Sequence, residues 1–156
     1  LVSCSSDDDS NPHEVSLLGE WYADEFRMVG SYTEEGQTYS FDGLASNCVG
    51  NDITFNADQS VTGHNAPFSM TSTVEVPGMP PITSTMQMSS FTSTSGEWSR
   101  EGNTLYLQEE GSSHKDAFTI LLLNATTLKI MGDQNSIDPG DLDSGTEFTA
   151  TLTYMR

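Results

Sequence analysis

From Glu147 to Tyr154, polar and apolar residues alternate without interruption. Phe148, Ala150, Leu152 and Tyr154 fall on one side, and Glu147, Thr149, Thr151 and Thr153 on the other. A repeat of two is the period of a β-strand, whose successive side chains point to opposite faces; a helix would need apolar residues every three or four positions. The same alternation recurs upstream. Ile53 and Phe55 alternate with Asp52, Thr54 and Asn56, and Leu105 and Leu107 lie between polar neighbours in 104–108. Turn chemistry separates these runs: Asn56-Ala57-Asp58-Gln59, Arg100-Glu101-Gly102-Asn103 between 96–99 and 104–109, and Asn124-Ala125-Thr126-Thr127 between 118–123 and 128–132. Pro77-Gly78-Met79-Pro80-Pro81 divides two serine- and threonine-rich strands, 67–76 and 82–95. With a strand over 20–32, the count reaches about eight to ten at the spacing of an all-β domain. Only 13–19 (HEVSLLG) has the look of a short helical turn, stopped by Gly19.

Strands joined by tight hairpins favour an up-and-down meander, and closing it into a barrel removes the exposed edges. One segment departs from simple alternation. In 117–123 (AFTILLL) both faces are apolar, so this strand is expected to be covered on both sides, by a partner subunit or by the N-terminal turn. Residues 5–12 are all polar, with three adjacent aspartates, so 1–12 is expected to be a disordered tether, which leaves 13–156 as one domain of ordinary size.

The charge balance restricts partners. Twenty-three acidic and 5 basic residues give a net charge of −18. Nucleic acid is disfavoured, because a phosphate backbone would meet a field of its own sign, and anionic headgroups are disfavoured likewise. No apolar run is long enough for a membrane-spanning helix.

Leu1-Val2-Ser3-Cys4 resembles a bacterial lipobox, in which the cysteine becomes the acylated first residue of a mature lipoprotein. Ser5-Ser6-Asp7-Asp8-Asp9 resembles the export tag of Bacteroidetes-type lipoproteins of the outer membrane. The resemblance implies lipid on Cys4, a membrane partner through that lipid, and a signal peptide of which Leu1 to Ser3 are the remnant. The expected location is the outer membrane, at the cell surface or otherwise facing the periplasm. Cys48 is then left without an intramolecular partner and is expected to be buried and inert rather than a reactive thiol; an unacylated chain could form an artefactual pair with Cys4.

Leu18-Gly19-Glu20-Trp21, with Gly-x-Trp entering the first strand, resembles the start of a lipocalin-like domain. Asp52-Ile53-Thr54-Phe55-Asn56-Ala57-Asp58, Gly96-Glu97-Trp98-Ser99 with Gly102-Asn103-Thr104-Leu105, and Phe118-Thr119-Ile120 with Leu128-Lys129-Ile130 extend it in order along the chain. It implies an antiparallel barrel of about eight strands, open at one end, with Gly19, Trp21 and Arg156 in structural roles. Arg156 is the residue that could cover Trp21 in the manner of the family's basic residue, a cation–π contact of about 0.5–2 kcal/mol. Gln59 stands where the family's turn has glycine, and Cys48 lacks the partner cysteine that many relatives have.

Sites for chemistry are few. His13, His64 and His114 have no neighbouring nucleophile, and neither a nucleophile elbow, a phosphate loop nor a Cys-x-x-Cys pair occurs. No enzymatic activity and no cofactor are expected. Asp138, Asp141, Asp143 and Glu147 crowd one loop whose oxygens could meet calcium, yet Gly145 breaks the EF-hand spacing, and an acidic hairpin loop is the preferred reading. For a small apolar or amphipathic ligand, the candidate contacts are Trp21, Phe55, Met86, Met88, Trp98, Tyr106 and Leu107, with methionines suited either to an irregular core or to an adaptable pocket. The expected function is ligand burial in the barrel at about 25 cal/mol per Å², opposed by ordering costs and so micromolar in strength. Two alternatives stand beside it: a filled barrel acting as an interaction module of the envelope, and a calcium-dependent adhesion or glycan-binding module. The interior volume separates the first from ligand binding: a continuous apolar cavity of about 300 Å³ or more supports a ligand, and a packed interior would sink it.

Overall fold

The computed structural model describes residues 15–88, 95–137 and 145–156. Among them eleven strands form one antiparallel sheet: β1 (Gly19–Glu34), β2 (Gln37–Ala45), β3 (Asp52–Phe55), β4 (Ser60–His64), β5 (Phe68–Glu75), β6 (Ile82–Met88), β7 (Ser95–Glu101), β8 (Thr104–Glu109), β9 (Asp116–Leu123), β10 (Thr127–Asp133) and β11 (Glu147–Met155).

β1 organises the sheet. One edge pairs with β11 over residues 22–31, which closes the sheet on itself. Its other edge is shared, residues 19–22 pairing with β3 and residues 26–34 with β2. The strand changes partner where the β11 ladder slips between Ala23 and Glu25. An extra residue there bends a strand and strengthens its twist. The result is a closed ring of eight strands, β1-β3-β4-β7-β8-β9-β10-β11. This is the all-β antiparallel barrel that the alternation and the hairpin turns call for. From the far half of β1 the sheet continues through β2, β5 and β6 as a wall that rises beyond the ring.

Asn51 holds ring and wall together. It is buried at the break between β2 and β3. Its side-chain amide donates to the carbonyls of Cys48 and Ala66, both at 3.0 Å, and its side-chain oxygen accepts from the Ala66 amide at 2.9 Å. Its own carbonyl accepts from Ala23 N at 2.9 Å, beside the slip in β1. Such a fully used amide lets strands break inside the fold without stranding polar groups.

Several local expectations change. Residues 15–18 form no helical turn. Their carbonyls are engaged elsewhere: Leu17 O accepts Trp21 Nε1, and Ser16 O and Leu18 O accept the Arg156 guanidinium. His13 and Glu14 lie outside the described residues. The serine- and threonine-rich run expected over 82–95 is β6 to Met88 and begins again as β7 at Ser95, with 89–94 outside the described residues. β2 and β4 are additional strands, the first interrupted in its apolar pattern by Gly43 and the second carrying one buried apolar residue, Val61. Finally, 117–123 is not covered on both faces. Phe118 and Ile120 are buried, whereas Leu121 faces out by alternation and Leu122 follows it because of a register slip in the β9–β10 ladder.

Candidate functional site

Two ends of the barrel differ in chemistry. At the base, Trp21 is fully buried and donates its indole N–H to Leu17 O at 2.8 Å. Arg156 lies over it, Cζ 4.1 Å from the ring centroid. The guanidinium is fixed by three carbonyls: Nε to Ala125 at 2.9 Å, Nη1 to Leu18 at 2.9 Å and Nη2 to Ser16 at 3.4 Å. Gly19 makes this closure possible with a φ of +112°, a conformation that side-chain-bearing residues avoid. Above this plug, Phe26, Met28, Phe55, Leu105, Leu128, Ile130 and Leu152 fill the ring, each excluding water almost completely. Within the described residues the ring interior is a packed core.

The other end is the tall wall. Its inner face is defined by register: Phe68 opposite Met88, Met70 opposite Met86, Ser72 opposite Ser84 and Val74 opposite Ile82. Phe68, Met70 and Ser72 are buried on β5, and Met70 packs its sulfur against Gly43, where a Cβ would come within 2.7 Å of it. Along β6 exposure rises from 5% at Met88 to 38% at Met86 and 52% at Ile82. Tyr32 and Tyr39 complete the face at its rim, half-buried and stacked with centroids 5.0 Å apart. Tyr39 donates its hydroxyl to Gln37 Oε1 at 3.2 Å. This is an apolar surface edged by phenols, open to solvent, directly above a dry core.

The outer face of the same wall is different. It carries a groove of about 850 Å³ crossed by a bidentate pair, Arg27 Nη2 to Asp42 Oδ2 at 2.6 Å and Nε to Oδ1 at 3.1 Å. The hydrogen bond from Arg27 holds the Asp42 carboxyl below its ordinary pKa. Val29, Leu44, Thr71 and Thr73 line the rest. Among the described residues, the inner positions of β5 and β6 carry no charge, and Glu34 comes to that face only at the tip beyond Tyr32, so this side suits an apolar molecule better.

The candidate contacts read from the sequence are spread across these regions. Trp21, Phe55, Met88 and Leu107 lie in the packed core and fill space instead of lining it. Trp98 is half-buried at the base, edge-to-face with Phe55 at 5.4 Å and donating to Asn56 O at 3.0 Å. Tyr106 points outward, its neighbours Leu105 and Leu107 pointing in. Met86 alone of the seven lies on the open inner wall. Asp138, Asp141 and Asp143 lie outside the described residues, and Glu147 is exposed at the start of β11. Tyr32, Tyr39 and Val74 were not anticipated; the alternation of Tyr39, Phe41, Gly43 and Ala45 in β2 is the signal that could have found one of them.

Cys48 is buried and its thiol points at Ala45 O, 3.8 Å away. Burial, reinforced by the negative charge of Asp24, pushes its pKa up to about 11. A thiol so rarely ionised is a weak nucleophile at neutral pH.

A closed eight-stranded barrel entered through Gly-x-Trp, its base sealed by an arginine over that tryptophan, is a lipocalin-type architecture. The family model of the lipocalin-like domain matches residues 17–130, and the chain belongs to that family. Neither the curated proteins nor the solved structures gave a significant match. Small-ligand binding is the activity that such a barrel suggests.

Proposed function

We propose that this protein is a membrane-anchored lipoprotein, acylated on Cys4, whose barrel binds a small apolar or amphipathic molecule on the inner face of the tall wall. Its place is the outer membrane, at the cell surface or otherwise facing the periplasm. The carrying observation is the gradient along β6, where one face passes from dry at Met88 to half-exposed at Ile82. The packed ring counts against a ligand held in the depth of the barrel, the site expected from the sequence, and the reading rests on the mouth alone. There an apolar body would cover Met86, Ile82 and Val74 while the tyrosine hydroxyls meet a polar end. Burial of this limited surface supports micromolar affinity.

Titration with a neutral naphthylamine dye tests the reading, because a neutral probe is not repelled by a chain of charge −18. Saturable enhancement with a micromolar midpoint is expected. Replacing Ile82 and Met86 together by aspartate weakens it about tenfold or more, the effect of 1.4 kcal/mol, whereas Leu44→Asp on the outer face does not. Equal binding by all three proteins, or none by the unaltered one, would sink the proposal.

A second reading, an interaction module of the cell envelope, draws on a different observation. Among the described residues β6 pairs only with β5, and its sequence Ile82–Met88 carries no charge to guard the open edge. An extended segment of a partner could add to that edge. Dye binding that persists alongside such a partner separates the two.

A further inference from the structure

The base of the barrel has a surface that ligand binding at the mouth leaves unused. Val15, the first described residue, lines a depression of about 230 Å³ with Arg100, Leu121 and Leu122. A second depression, about 640 Å³, shares Val15 and Arg100 and adds Leu18 and Trp98. Leu18, Leu121 and Leu122 are 41%, 48% and 44% exposed. Leu121 faces outward by the alternation that buries Phe118 and Ile120, and Leu122 joins it because of the slip in the β9–β10 ladder, so nothing in the core requires either to be apolar. Lys129 sits opposite Leu122 on the neighbouring strand. Apolar side chains interleaved with cations at one end of a barrel are the composition of a surface that meets headgroups and the upper acyl region.

The rest of the molecule identifies the occupant. Of the five cations of the chain, Arg100, Lys129 and Arg156 belong to this end, where Glu20, Asp58 and Glu101 balance them and leave the base close to neutral. The opposite end gathers Glu34, Glu35, Glu75, Glu109, Glu110 and Glu147 at strand termini and turns. A like-charged membrane would repel that end and tolerate the base. The chain also arrives at the base: residues 5–14 separate Cys4 from Val15 and can span at most about 3.5 Å each. A leash of that length holds the barrel at an effective concentration in the millimolar range, so a weak contact is enough to orient it.

We propose that the base of the barrel docks on the bilayer surface, with Leu18, Leu121 and Leu122 at the acyl boundary and Arg100 at the level of the lipid phosphates. The ligand-binding mouth then faces away from the membrane. This inference rests on the reading of Cys4 as the lipid anchor.

The full acylated chain, reconstituted in phosphatidylethanolamine vesicles, tests it. With Cys4 acylated and Cys48 buried, Leu122→Cys supplies a single reactive thiol for a polarity-sensitive fluorophore, and Ile82→Cys places the same label at the far end. Spin-labelled lipid is expected to quench the label at 122 several-fold more than the label at 82. Equal quenching overturns the docking. A spectral change at 122 that follows protein concentration without vesicles identifies a second copy as the occupant and also overturns it. Intact mass is measured first. Should Cys4 carry no acyl group, the anchor reading fails by itself, and the same labels in a Cys4→Ser background, with vesicles in excess, decide the docking separately.

Discussion

Met70 and Met86 are direct partners across the β5–β6 ladder, on the same face of the same sheet, yet the first is fully buried and the second 38% exposed. What separates them is the neighbourhood, not the residue. Met70 has β2 beside it and faces the packed interior, while β6, among the described residues, has one neighbour. At the base every inward side chain meets others from strands that complete the ring. Along the upper wall the ring is incomplete and the same alternation faces water. Closure decides burial, and where closure is incomplete an apolar face stays open to solvent.

Paired truncations test that contrast most severely. Trp21→Ala removes a fully buried indole from the base together with its hydrogen bond and the platform under Arg156. It is expected to cost about 3–5 kcal/mol, the range for large aromatics cut from a core. Met86→Ala, on the open wall, is expected to cost less than about 1 kcal/mol. Urea unfolding midpoints compare them, and costs of similar size would mean that the wall is as closed as the ring.

The joint between the regions comes next. Asn51→Ala takes the side-chain partner from the Ala66 amide and carbonyl, both part-buried, and leaves the Cys48 carbonyl only the Asn51 backbone N–H. A loss of about 1–3 kcal/mol is expected, since groups shielded from water and stripped of partners keep much of their desolvation cost. The wall should also loosen more than the ring. Amide exchange in β2 and β5 is expected to accelerate by more than the global loss of stability accounts for, while β10 and β11 follow the global change alone. Uniform acceleration would show that Asn51 supports the whole fold and is no joint.

How far the sequence foretold this contrast follows from its signals. Strands ending in strong turns and facing a complete ring were legible: β11 with its unbroken alternation, the β7–β8 hairpin at Gly102-Asn103, and the Gly19–Trp21 entrance with Arg156 as its cover. The upper wall was harder to read. β2 interrupts its apolar run with Gly43, whose space belongs to the Met70 side chain, and β5 and β6 are built largely of serine and threonine. In such strands neither face announces itself. Which methionine is wet depends on β6 having, among the described residues, a strand on one side only, and local spacing carries no such information. The outward turn of Leu122 was hidden for a related reason, since a register slip is a property of two strands, not one.

The finest comparison concerns two turns with the same backbone fault. Gln59, between β3 and β4 at the base, has a φ of +69°, and Glu35, between β1 and β2 at the tip of the wall, a φ of +50°. Both occupy the left-handed region at a cost that glycine avoids, partly offset by the greater freedom glycine has when unfolded. Gln59→Gly restores the residue that the resemblance places in this turn, and a gain of about 0.5–1 kcal/mol is expected from that balance. The Gln59 turn is locked to the core: its N–H donates to Asn56 O at 3.1 Å and its carbonyl accepts from Trp98 N at 2.8 Å. It can open only when the base opens, so the whole gain should appear in global unfolding. Glu35 ends a hairpin whose last residues are exposed, and its turn can fray while the ring stays intact. Glu35→Gly should therefore raise the urea midpoint less than Gln59→Gly does. If the two substitutions stabilise equally, the tip of the wall unfolds together with the base, and the wall belongs to the same cooperative unit as the ring.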